Sequence, residues 1–108
     1  MNDYLARYLV AVEHPEVSAL EHIDMLMVRD RLAEQESSMS LRDKRRLKAA
    51  DQRLLEQAAA FQSELARITS LEVERKRRQP PPQHWWWYLD VLTALPRSAE
   101  ALPELVPA

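Results

Sequence analysis

Not one of the 108 residues is glycine, where ordinary usage would supply about 7%. Glycine turns a chain through positive φ and lets backbone come close to a phosphate. A chain without it is poorly suited to Gly-rich nucleotide loops, Asn-Gly hairpins and most all-β architectures. Cysteine is absent too, which removes disulfides, thiolate zinc sites and thiol nucleophiles together. With 46% hydrophobic and 30% charged residues, the chain reads as one soluble helical unit, since a domain takes roughly 100–200 residues.

A net charge of −2 conceals three blocks. Residues 1–36 balance to −5, residues 37–79 to +5 and residues 80–108 to −2. The acidic N-terminal part is therefore expected to fold against the basic middle. Each surface pair contributes only about 0–1 kcal/mol, so pairing sets orientation more than stability. The first residues lack the basic start and apolar run of a signal peptide. Apolar stretches such as residues 25–28 and 85–89 fall far short of the roughly 20 residues of a spanning helix. A cytoplasmic location is the expectation.

Hydrophobic spacing predicts the helices. Leu5, Tyr8, Leu9 and Val12 fall at i, i+3, i+4 and i+7 of a first helix that Pro15 punctuates. Ser18 and Glu21 have the spacing of a capping box for a second helix, ending near residues 35–38. Its apolar residues form two stripes, Leu20, Ile23 and Met27 against Met25, Val28 and Leu32. A helix apolar on several sides normally has several neighbours. Ser40 caps a third helix, with Asp43 three residues on. No proline or glycine interrupts residues 41–79, so one rod of about 57 Å is predicted. Its stripe is Leu47, Ala50, Leu54, Ala58, Phe61, Leu65 and Ile68. A second helix of about 28 Å covers only half of such a rod. The far half is expected to be covered by the C-terminal segment, by a second copy, or by both. Three prolines at 80–82 then form a stiff spacer before a short aromatic helix in which Tyr88, Val91, Leu92 and Leu95 keep helical spacing. Pro96 ends it, and the tail with Pro103 and Pro107 is expected to be extended.

Few residues offer chemistry. His14, His22 and His84 have no partner at metal-ligand helical spacing, and no cofactor or metal is expected. Asp30 and Glu34 share a helical face with arginines nearby and read as a solvated face. Ser37, Ser38 and Ser40 adjoin no histidine in sequence. Catalysis is not indicated. Among the basic residues, Arg42, Arg45, Arg46 and Arg53 share a solvent face that could contact phosphates, while Lys44 and Lys48 flank the core stripe on the other side. The second cluster, residues 75–78, follows Glu72 and Glu74 at i,i+4 spacing and sits at a helix C-terminus, so helix stabilisation alone explains it.

The most distinctive run is Trp85, Trp86, Trp87 and Tyr88. Four consecutive rings cannot all face one core, because successive side chains point about 100° apart. Some should dock on the chain itself; others should meet a partner, since Trp and Tyr are preferred interface anchors. A lipid surface is a further option, with residues 75–78 against anionic headgroups.

The expectation is an all-α fold: two N-terminal helices on one long helix in residues 1–79, then a spacer and aromatic segment in residues 80–108. The predicted function is a non-catalytic adaptor or regulatory subunit, and its layout resembles that of small bacterial antitoxins and subunit-assembly factors. A protein partner would bind Trp85, Trp86, Trp87, Tyr88 and Leu92. Two copies would pair along Leu47, Leu54, Phe61, Leu65 and Ile68. Nucleic-acid binding through residues 42–48 and peripheral membrane contact are the alternatives.

Overall fold

In the computed structural model, which describes residues 2–94, the described residues are 76% helical and contain no strand. The expected all-α fold is present. The chain runs through α1 (Asp3–Ala11), α2 (Ala19–Gln35), a 3₁₀ turn (Glu36–Ser38), α3 (Leu41–Glu56), α4 (Ala58–Leu65), α5 (Leu71–Arg78), a second 3₁₀ turn (Trp85–Tyr88) and α6 (Leu89–Ala94). Leu95, Pro96 and the proline-bearing tail lie outside the described residues. No helix among the described residues is long and apolar enough to cross a membrane.

Caps set several of the starts. Asn2 accepts from the Leu5 amide, Ser40 from Asp43 and Ser70 from Val73. Ser18 and Glu21 form the full reciprocal box that the sequence predicts. Such a cap typically contributes about 1 kcal/mol.

The single long helix does not form. Residues 41–79 are broken twice, at Gln57 and between Leu65 and Leu71. Gln57 leaves helical geometry (φ −104°, ψ 13°), and its side-chain amide donates to the Val12 carbonyl at 2.7 Å. That bond ties the break to the end of α1. The second break takes in residues 66–69, and Ser70 starts α5 in extended geometry (φ −127°, ψ 155°). No glycine or proline is needed, because tertiary contacts outweigh a modest local preference for helix. The described residues consequently span 35 × 31 × 25 Å instead of forming a rod.

Bending the chain lets one core collect both ends. Leu5, Tyr8 and Val12 meet Met25, Leu26, Val28 and Leu32, then Leu47, Leu54, Phe61, Leu65 and Leu71, and finally Trp86, Trp87 and Leu89, all buried in a single cluster. The aromatic segment does return to cover the far half: α6 packs on α4, and the Trp turn packs on α5 and α2. Two expectations are corrected here. Leu20 and Met27 are exposed and only Ile23 of their stripe packs against the core, whereas the Met25 stripe faces in. Leu47, Leu54, Phe61 and Leu65 are at most 2% exposed. They fill the protomer's own core and leave nothing for a seam between copies; only Ile68 of that set is exposed.

Candidate functional site

The three tryptophans part company. Trp87 is fully buried and Trp86 is 2% exposed, whereas Trp85 is half-buried. One carboxylate oxygen organises the first two. Oδ1 of Asp30 accepts from the indole of Trp86 at 2.8 Å and from that of Trp87 at 2.9 Å. His84 Nδ1 lies 2.9 Å from the same atom and, since a carboxylate accepts, carries the hydrogen there. The His84 ring stacks on Trp86 at 4.5 Å between centroids. Burying an indole N–H without a partner would cost about 1–3 kcal/mol, so Asp30 is what lets two adjacent tryptophans enter the core together. Its side chain is still 32% exposed, but it is committed to three donors and is not the plainly solvated carboxylate that its spacing with Glu34 suggests; Glu34 is, and pairs with exposed Arg31.

Next to Asp30, Arg29 is buried and held from two sides. Its Nε and Nη2 donate to the two oxygens of Asp51 at 2.9 and 3.0 Å, a bidentate pair that links α2 to α3. Its remaining nitrogen, Nη1, has no hydrogen-bond partner among the described residues. The guanidinium lies 4.1 Å from the centre of the Trp86 ring, where the π-face takes the place of an acceptor. The Tyr8 hydroxyl donates to Asp51 at 2.6 Å. Burial, with the Asp51 charge and hydrogen bond adding to it, pushes the Tyr8 phenol well above its ordinary range, so it stays a donor.

The cations of α5 are also committed. Arg75 donates to both oxygens of Asp90, at 2.7 and 3.2 Å, and to the Trp87 carbonyl at 2.8 Å, and its guanidinium lies 4.7 Å from the Tyr88 ring centre. Buried Glu74 accepts from Arg78 at 2.9 Å and from Thr69 at 3.0 Å. Burial raises the Glu74 carboxyl, but the bonds from Arg78 and Thr69 and the charge of Arg77 outweigh it and hold the group below its ordinary value. Lys76 pairs with Glu72 and Arg77 with Glu74. The basic run suggested for headgroups is thus paired within the chain.

What the aromatic segment leaves outside is narrow. Residues i and i+3 eclipse in a 3₁₀ turn, which puts Trp85 and Tyr88 on one side. Both are half-buried, as is Leu92, and Val91 is 45% exposed. Trp85 makes no indole hydrogen bond among the described residues and meets Trp86 edge-on at 5.5 Å. Trp86 and Trp87, also suggested as partner contacts, are spent in the core.

Of the phosphate-contact set, two members are already paired: Arg46 with Asp43 at 3.4 Å, and Arg53 with Glu13 at 2.9 Å and Glu56 at 3.3 Å. Arg42 and Arg45 are exposed, as are Lys44 and Lys48. Elsewhere, a groove of about 450 Å³ opens between α1 and the start of α2, lined by Ala6, Val10, Ala11 and Val17 with Arg7, His14, Glu21 and His22. It shares no residue with the aromatic segment. His22 is buried, its Nε2 donating to the Pro15 carbonyl at 2.9 Å and its ring edge-on to Phe61. No group of three or more metal-capable side chains occurs among the described residues.

The Asp30–Arg29–Asp51 centre is absent from the sequence reading, although a signal exists. Arg29 and Asp30 are adjacent charges in α2, between the apolar positions Val28 and Leu32, both of which are buried. Charges in that position are seldom buried unless paired. Compared with models of protein families, with curated proteins and with solved structures, the chain gives no match.

Proposed function

We propose that the protein is a non-catalytic interaction module that holds a protein partner against the outer edge of its aromatic segment. Trp85 is the anchor, with Tyr88, Val91 and Leu92 beside it. One observation carries the reading: of three consecutive tryptophans, two are fixed to Asp30 and buried, while the third is only partly buried at the rim of the core and keeps an indole N–H with no partner among the described residues. An aromatic ring with a free polar handle is the usual form of an interface hot spot. The base beneath it is rigid, because Trp86, Trp87 and the Arg75–Asp90 pair fix the backbone of residues 85–90. Such preorganisation lowers the ordering cost of binding.

The reading is tested with Trp85→Ala, Trp86→Ala and Trp87→Ala, each measured for thermal unfolding and for recovery of partners from native cells by mass spectrometry. Trp85→Ala is expected to keep most of its stability and to lose the partner. Full recovery with Trp85→Ala contradicts the proposal and leaves the segment as a cover for the core.

A further inference from the structure

Fourteen Lys and Arg side chains lie among the described residues. Ten of them have a carboxylate oxygen within 2.7–3.7 Å. The four with no such partner among the described residues are Arg42, Lys44, Arg45 and Lys48, all within seven consecutive positions of α3. Chance scatter of surface ion pairs would spread the leftover cations over the molecule. Here they are gathered on one helix.

Folding gains nothing from that gathering. Arg42 and Arg45, Lys44 and Lys48, and Arg45 and Lys48 stand three or four residues apart, where like charges destabilise a helix by about 0.2–0.5 kcal/mol per pair. They occupy the first half of α3, toward the positive end of its dipole, where cations are disfavoured. The surface is also open. The helix packs on α1 and adjoins α4, burying Leu47, Ala50 and Leu54. On the opposite side Leu41, Arg45, Lys48 and Gln52 follow one another at i, i+4, i+7 and i+11, with Lys44 on one flank and Arg42 on the other, and all six are exposed.

We propose that this face of α3 binds the phosphate backbone of duplex nucleic acid. Two cations on the crest, Arg45 and Lys48, with one on each flank suit a groove bordered by phosphates on both sides, and the major groove admits one α-helix. The one carboxylate in the cluster, Asp43, is taken by Arg46, so the face is a polycation without interspersed acid. The contact is with backbone and is sequence-tolerant. It needs neither Trp85 nor its partner, and so fails or stands apart from the interaction proposed above.

The test is fluorescence anisotropy with a labelled random-sequence DNA duplex of about 24 base pairs, titrated at several salt concentrations. Four neutralised phosphates predict a log–log salt slope of about −3 to −4, or affinity falling on the order of 100-fold between about 50 and 200 mM salt. The combined variant Arg42→Gln, Lys44→Gln, Arg45→Gln and Lys48→Gln should lose that binding while melting at or above the parent's temperature. A control, Arg31→Gln with Arg67→Gln, removes two paired cations and should bind as the parent does. Absence of binding at low salt, a flat salt dependence, unchanged binding by the combined variant, or a lowered melting temperature for it would each overturn the proposal. So would displacement of the duplex by poly-glutamate of matched charge at lower concentration, which would assign the face to an acidic protein segment.

Discussion

The aromatic turn and the first half of α3 each gather one chemical type into a short stretch, and folding treats them in opposite ways. In the turn, Trp86, Trp87 and the neighbouring Arg29 and Arg75 are joined to Asp30, Asp51 and Asp90, and only Trp85 keeps an indole to spare. In α3, Asp43 takes one cation and four remain without a carboxylate among the described residues. A conspicuous motif can thus be consumed by the core, while a plainer run is what the fold leaves over. The count of strong residues does not separate the two cases; the supply of partners does.

Substitutions in the turn should be the most damaging. Trp87→Ala is expected to cost about 3–5 kcal/mol in thermal or denaturant unfolding, as for other fully buried rings, against about 1 kcal/mol or less for Trp85→Ala. Equal losses would erase the division among the tryptophans. Asp51→Ala strands the buried Arg29 charge and should cost a similar 3–5 kcal/mol. Asp30→Ala leaves two buried indole donors without an acceptor and should cost about 1–3 kcal/mol per stranded group that water cannot reach. A mild effect at Asp30 would mean that the rings pack without needing the carboxylate.

Glu74 offers a pH test of the same region. Its folded-state carboxyl lies below the ordinary value of 4.5. Its stabilisation is therefore fully present above that value and is lost as pH falls through the folded one. Melting temperature should drop on acidification below about pH 4.5, and Glu74→Gln should flatten that limb of the curve. A limb of the same depth in the variant would place the acid-sensitive group elsewhere. The smallest expected effect is at Gln79, which closes α5 in left-handed geometry (φ 48°, ψ 59°). Gln79→Gly should stabilise by about 0.5–1 kcal/mol by removing the Cβ conflict, and no gain would show that the preceding Arg78 and following Pro80 set the backbone at no cost.

The all-α class, two of the four N-caps (Ser18 and Ser40) and most of the buried positions of the first two helices were legible, because they follow from local spacing and capping chemistry. The breaks at Gln57 and before Ser70 were not. At Gln57 the cause is a bond to Val12, forty-five residues away, which no local pattern encodes. At Ser70 a signal was present: a capping serine, acids at Glu72 and Glu74, then four cations. The unbroken helical spacing of Leu65 and Ile68 with the preceding stripe masked it. Along one unbroken rod that stripe would be an open face; bent at the two breaks, it becomes the protomer's own core. For the site, the inequivalence of the tryptophans followed from helix geometry, but which ring faces in depends on Asp30, whose three donors come from residues more than fifty positions away.

Trp86 and Trp87 are bound to Asp30, while Trp85 lies at the rim with its indole N–H unbonded among the described residues. Hydrogen exchange at the three indole N–H groups, followed by nitrogen-edited NMR, reads this division directly. Two indole signals should be protected and should lose that protection in Asp30→Ala, while the third, assigned by Trp85→Phe, exchanges rapidly in both proteins. Three indoles exchanging alike, or a protected Trp85, would contradict the account.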